Sequence, residues 1–160
     1  SRMKWCWRRA IVLGVLPLVS ACQAGADPDV SSISVIAQQD RCDEEQPRLE
    51  VVSGESMPPG TPASIARSGR SAMAKGHSVL VVYLGQRPTP GYGAELAQAS
   101  VDGGNLQIRL RPTEPEPGAM MAQMITTPCL GLRVPAEGWS QLEVAMDAEG
   151  FPLKVAAGDY

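Results

Sequence analysis

The chain has 160 residues, room for one core domain. Apolar residues make up 44% and charged residues 19% of it, which excludes a disordered tail and a polytopic membrane protein. Its formal charge of −3 is no magnet for nucleic acid, and one histidine, His77, leaves little room for histidine-based catalysis.

The first 21 residues read as a secretory signal: Lys4, Arg8 and Arg9 form a cationic start, and the uncharged run Ala10–Ala21 ends in small residues. Pro17 interrupts that run, which is shorter than the roughly 20 residues of a membrane-spanning helix. Val19-Ser20-Ala21-Cys22 resembles the lipobox of bacterial lipoproteins. That resemblance implies cleavage before Cys22, a diacylglyceryl group on its thiol and acylation of the new amino group. Several acyl chains anchor stably, because each buried methylene adds about 0.8 kcal/mol. The alternative is ordinary cleavage after Ala21 or Ala24, which releases a soluble protein. Gln23 is similar to the outer-membrane sorting pattern.

The expected organisation is a signal at 1–21, a lipidated tether at 22–30 and a single domain at 31–160. The expected location is the bacterial envelope, anchored to the outer membrane and facing the periplasm or the surface. Removing residues 1–21 discards four of the 14 basic side chains and none of the 17 acidic ones. The remaining domain is acidic, so neither nucleic acid nor an anionic lipid surface attracts it by charge. Cys6 lies in the signal and Cys22 carries lipid, which leaves Cys42 and Cys129. Two leftover thiols in an oxidising compartment predict a disulfide, with two buried reduced cysteines as the alternative. No third ligand lies nearby to make a metal pair.

Along the chain, Ile33, Val35 and Ala37 alternate with Ser32, Ser34 and Ile36 as a strand. Asp40, Asp43, Glu44 and Glu45 form a solvated acidic turn whose spacing matches no calcium loop. Arg48–Val52 is a second strand, and Gly54–Pro62 a Pro- and Gly-rich loop. Thr61-Pro62 predicts a helix start, with Ile65, Ala66, Ala72 and Met73 on one face and Gly76 at its end. Gly69 within it costs about 1 kcal/mol relative to Ala. Val79–Leu84 is a continuous apolar run, expected to be a strand buried on both faces.

Gly93–Val101 and the alternating Leu106, Ile108, Leu110 set make a hairpin around Asp102-Gly103-Gly104-Asn105. Ala119–Thr126, Leu130–Val134 and Leu142-Val144-Met146 give further strands, with Met120, Met121 and Met124 expected as flexible core filler rather than a metal or partner surface. The predicted fold is mainly β: an antiparallel β-sandwich or partly open barrel with one short helix.

Chemistry is nearly absent. Gly54-Glu55-Ser56-Met57-Pro58 departs from the G-x-S-x-G elbow, and no Walker loop, dinucleotide fingerprint or C-x-x-C occurs. Glu114 and Glu116 alternate with prolines, which places them in an exposed turn; His77 reads as a loop residue before a strand. The expectation is a non-enzyme without metal or cofactor. The segment that stands out is Arg87-Pro88-Thr89-Pro90-Gly91-Tyr92. Two prolines stiffen it, Gly91 permits a left-handed turn, and Arg and Tyr favour binding hot spots. The same residues also suit a structural turn with Tyr92 packed under the sheet.

Val79–Tyr92 resembles the G-x-K/R-P-T-G-G-Y signature of the PrcB C-terminal family. Pro115-x-Pro117-Gly118, Gln123-x-x-Thr126-x-Pro128 and Val134-Pro135 are similar to that family's downstream pattern, so the likeness covers roughly residues 78–135. Pro90 replaces the first of two glycines, and Cys129 stands where an aromatic often follows the proline. The resemblance implies an accessory module that binds another envelope or secreted protein, such as a protease complex that it stabilises. Pro88-Thr89-Pro90-Gly91-Tyr92 is also similar to the P-T-T-G-Y loop of chagasin-like cysteine-protease inhibitors, although Arg111-Pro112-Thr113 lacks that family's second, aromatic-bearing loop. A purely structural envelope role is the third reading.

Overall fold

The computed structural model describes residues 27–54 and 56–158. The predicted signal and Cys22, the predicted lipidation site, lie outside the described residues. Eight strands and one helix follow in the order β1 (Ser34–Gln39), β2 (Pro47–Val52), α1 (Ala63–Ala74), β3 (His77–Leu84), β4 (Gly93–Asp102), β5 (Asn105–Thr113), β6 (Cys129–Pro135), β7 (Gln141–Ala145) and β8 (Leu153–Ala156). One four-stranded sheet has the order β1-β6-β3-β2 and the other β4-β5-β7-β8. The predicted mainly β sandwich is present, and neither sheet closes into a barrel.

β3 explains the layering. A strand of aliphatics in consecutive positions must be covered on both faces. Leu80, Val82 and Leu84 point into the space between the sheets, against Leu106, Ile108, Leu142 and Val144 of the second sheet. Val79, Val81 and Tyr83 point the other way, under Ile65 and Ala72 of α1. The layers are therefore helix, sheet, sheet. The outer face of the second sheet is left to solvent and carries the pairs Glu95–Arg111 at 2.5 Å and Glu143–Lys154 at 3.2 Å. Such exposed pairs add at most about 1 kcal/mol each.

α1 docks by way of two glycines. A Cβ on Gly131 of β6 would lie 2.7 Å from Cγ2 of the fully buried Ile65, and one on Gly69 would lie 3.1 Å from Val79 Cγ2. The intrinsic helix cost of Gly69 is thus offset by close approach to β3. The helix ends at Gly76 as expected, with Gly76 N–H donating to Met73 O at 2.9 Å. Its start differs: the Thr61 hydroxyl donates back to Pro58 O, and Pro62 holds the cap position without a side-chain bond. Gln39 of β1 substitutes, its Oε1 accepting from the Ser64 hydroxyl at 3.0 Å and the Ser64 amide at 3.3 Å.

Other expectations are corrected. β5 and β7 run parallel, because the chain leaves the second sheet after β5, turns back as β6 in the first, and re-enters heading as before. A register shift in β1 between Val35 and Ala37 places Ile36 and Ala37 together on the helix side, so Ala37 leaves the face of Val35. Ala119–Thr126 forms no strand. It spans the end of the sandwich, where only Thr126 pairs, in an isolated bridge with Arg87, and Met120 and Met124 are exposed rather than core filler. β8 and a 3-10 turn at Val30–Ser32 carried no pattern long enough to read. His77 opens β3 instead of lying in a loop.

Cys42 and Cys129 are bonded, with Cα atoms 6.1 Å apart and a sequence separation of 87. The bond ties the turn after β1 to the first residue of β6. Closing a loop of that length stabilises by about 4 kcal/mol in the chain-entropy model. Reductant should lower the melting temperature of the native chain and leave that of the Cys42→Ser/Cys129→Ser variant unmoved; equal melts with and without reductant would contradict the bond. Gly131→Ala should cost about 1–3 kcal/mol by driving Ile65 off the sheet. Chemical denaturation of the variant checks the loss, and a midpoint equal to the native chain's would contradict the close contact.

Candidate functional site

β1, β3, β5 and β7 all deliver the chain to the same end of the sandwich, and β2, β4, β6 and β8 carry it away. Residues 40–46, 85–92, 114–128 and 146–152 therefore cluster at one pole. Residues 27–33 enter at the opposite pole, where Pro28 packs so near Gly138 that a Cβ there would lie 3.1 Å from Pro28 Cδ.

The predicted Arg87–Tyr92 segment crosses the loop pole and is firmly held. Gly85, at φ +78°, lets the chain turn against Pro47, whose Cδ would lie 2.9 Å from an added Cβ. Gln86 N–H donates to Glu45 O at 3.0 Å, and Leu84 N–H to Pro128 O at 2.9 Å. Arg87 and Thr126 exchange two backbone bonds, of 2.8 and 2.9 Å. The buried Thr126 hydroxyl donates to Thr89 O at 3.0 Å. Gly91, at φ +95°, rests where a Cβ would meet Pro115 Cγ at 3.0 Å and Met121 Cε at 3.1 Å. At the exit Gln38 of β1 donates to Ala94 O at 3.1 Å. The disulfide and the bond from Cys42 N–H to Thr127 O, 3.0 Å, brace the base of this clamp.

What the clamp leaves accessible is specific. Pro88 and Gly91 are exposed, and Arg87, Thr89, Pro90 and Tyr92 are half-buried. Two shallow grooves of about 330 and 310 Å³ meet at Arg87: one runs past Glu45 and Gly85, the other past Tyr92, Glu114 and Asp147, and Glu149 borders both. Tyr92 forms a groove wall, and is not packed under the sheet. The carboxylates are Asp40, Asp43, Glu44 and Glu45 before β2, Glu114 and Glu116 after β5, and Asp147 and Glu149 after β7. Eight of the 17 acidic side chains thus lie at this pole, against two of the 14 basic ones, Arg41 and Arg87. Sequence order concealed this concentration, since the three acidic stretches are far apart in the chain.

Beside the pole, Tyr83 donates to Glu50 Oε2 at 3.1 Å, and Arg48 sits 4.5 Å above its ring while pairing with Glu44 at 3.0 Å. Burial, followed by the negative charge of Glu50, pushes the Tyr83 phenol up to about 12 from an ordinary 10.0. The folded chain then keeps a proton that the unfolded chain releases, so this contribution to stability is full below pH 10 and is lost as pH rises towards 12. The difference absorbance titration of the native chain minus Tyr83→Phe should show a phenol ionising near pH 12; one ionising near pH 10 would contradict this burial.

Among the described residues no group of three or more His, Cys, Asp or Glu side chains is placed to hold a metal ion. No described helix is long and apolar enough to cross a membrane.

The PrcB C-terminal family model matches residues 78–135. No curated protein and no solved structure matches the chain. The matched span runs from β3 through the Arg87–Tyr92 segment and the β4–β5 hairpin to the end of β6, and so contains both partners of the Arg87–Thr126 clamp. Through that span, the chain carries a PrcB C-terminal-like region.

Proposed function

We propose that the chain is a non-enzymatic accessory module of a protease complex, which binds a protein partner with its loop pole and is held at the bacterial envelope by lipid on Cys22. The observation that carries this reading is the coincidence of the family match with the clamped segment: residues 78–135 supply the loop and the Thr126 strap that fixes it. A loop already immobilised loses little entropy on association, which suits recognition rather than turnover. Arg87 and Tyr92, which line the same groove, are residue types that dominate interface energies. An envelope location keeps the Cys42–Cys129 bond oxidised.

The test is capture of envelope proteins by the native chain, their identification by mass spectrometry, and assay of any protease retained. A stabilising accessory lengthens the protease's lifetime without blocking turnover; stoichiometric loss of turnover would assign the chagasin-like reading instead. Arg87→Ala and Tyr92→Ala should each weaken the captured complex by about 1–2 kcal/mol or more while the fold persists. Unchanged affinity in two well-folded variants would remove this loop as the contact. Cys22→Ser should shift the protein out of the membrane fraction, and an unmodified mature start at Gln23 or Gly25 would exclude the anchor.

A further inference from the structure

The connection 114–128 displays apolar side chains to water at the crest of the loop pole. Met120 is fully exposed, Ile125 is 62% exposed and Met124 is 38% exposed. Isolated exposed aliphatics are ordinary, but a group of them on a braced support marks an interaction surface. Here the support is braced at several points: Met121 lies against Gly91, Thr126 is bonded to Arg87 and Thr89, and Thr127 N–H donates to Asp40 O at 3.0 Å. The Arg41 guanidinium is also bonded to Met124 Sδ. None of Met120, Met124 and Ile125 belongs to either core cluster.

We propose that Met120, Met124 and Ile125 form a docking tip for a basic protein surface, one that offers an apolar recess rimmed by Lys and Arg. The inference rests on the reading of the loop pole as the partner-binding end, and adds the chemistry of the partner. Charge selects this occupant. The carboxylates Glu114 and Glu116 belong to the tip's own connection and Asp147 and Glu149 to the neighbouring one. The turn before β2 adds four more, of which Glu44 is paired with Arg48. Together they outnumber the pole's two cations, Arg41 on Met124 and Arg87. Anionic lipid headgroups are repelled by such a surface. A second copy of the chain would bring two acidic poles together, and nucleic acid would meet the same repulsion. A cationic partner is attracted at long range, and its apolar recess then removes the methionine and isoleucine side chains from water.

The test uses the full chain with its disulfide intact. Its probes are immobilised 15-residue amphipathic peptides of matched aliphatic content and graded net charge, and vesicles of phosphatidylglycerol with phosphatidylethanolamine. Binding should favour the cationic peptides and weaken as salt rises. It should fall roughly tenfold or more in Met120→Ser/Ile125→Ser, and comparably in Glu116→Gln/Asp147→Asn/Glu149→Gln. Glu137→Gln at the opposite pole should leave it unchanged. Because Met120 and Ile125 are exposed, their variant keeps its melting temperature, so lost binding is not lost folding.

Equal binding to anionic and cationic peptides would overturn the proposal, as would vesicle binding, or self-association abolished by Met120→Ser. The partner captured through Arg87 and Tyr92 separates the two readings. If Met120→Ser/Ile125→Ser keeps that partner at full affinity while Arg87→Ala and Tyr92→Ala lose it, the tip is overturned and the accessory role stands. If both sets of variants keep it, the accessory reading of this pole fails as well.

Discussion

The apolar run of β3 cannot face water on either side, and the order of layers follows from that constraint. Four of its residues, Val79 to Val82, are wholly inaccessible. Each such side chain taken out of water adds roughly 1.5–3 kcal/mol. Their burial requires a sheet on one face and a helix on the other. The helix in turn needs close approach, hence a glycine on each side of the contact, Gly69 in α1 and Gly131 in β6. An amphipathic strand in the same place would leave α1 with no surface to cover.

The loop pole inherits its rigidity from the same strand. β3 ends at Leu84, whose amide is taken by Pro128, and the next residues are held by Glu45 and Thr126. Three connections distant in sequence are thereby fixed to one another by backbone bonds, and the Cys42–Cys129 bond adds a covalent tie from one of them to the start of β6. The result is a surface whose shape is set before any partner arrives, which separates it from loops that order only on binding.

Much of this was legible in the residues. Period-two alternation marked β5, the continuous aliphatic run marked β3, Asp102–Asn105 marked the hairpin, and elimination among four cysteines gave the disulfide. What escaped was decided by tertiary context. Ala119–Thr126 has the apolar content of a strand, but its neighbours are other loops, so Met120 and Met124 stay in water. Ala37 changed faces because one irregular residue breaks the period of two. The helix start defied its Thr61-Pro62 signal because Gln39, which is remote in sequence, was placed to take the Ser64 amide. Within the candidate site, Arg87–Tyr92 was visible from composition; Thr126 stood out only as part of the downstream family pattern, and its bonds to Arg87 and Thr89 were not legible, since a lone threonine carries no sign of the backbone it will meet.

The opposed placement of chain entry and loops has an orienting consequence. Pro28 lies at the pole where β6 ends, and the Arg87–Tyr92 segment lies where β6 begins. Nine residues of β5 span the distance between the poles, about 30 Å at strand rise. With a lipid on Cys22, as proposed, the sandwich would act as a spacer that keeps its recognition surface a full domain length from the bilayer. A partner standing off the membrane would be met head-on, and one lying flat against the lipid would be out of reach unless the tether folded back along the sandwich.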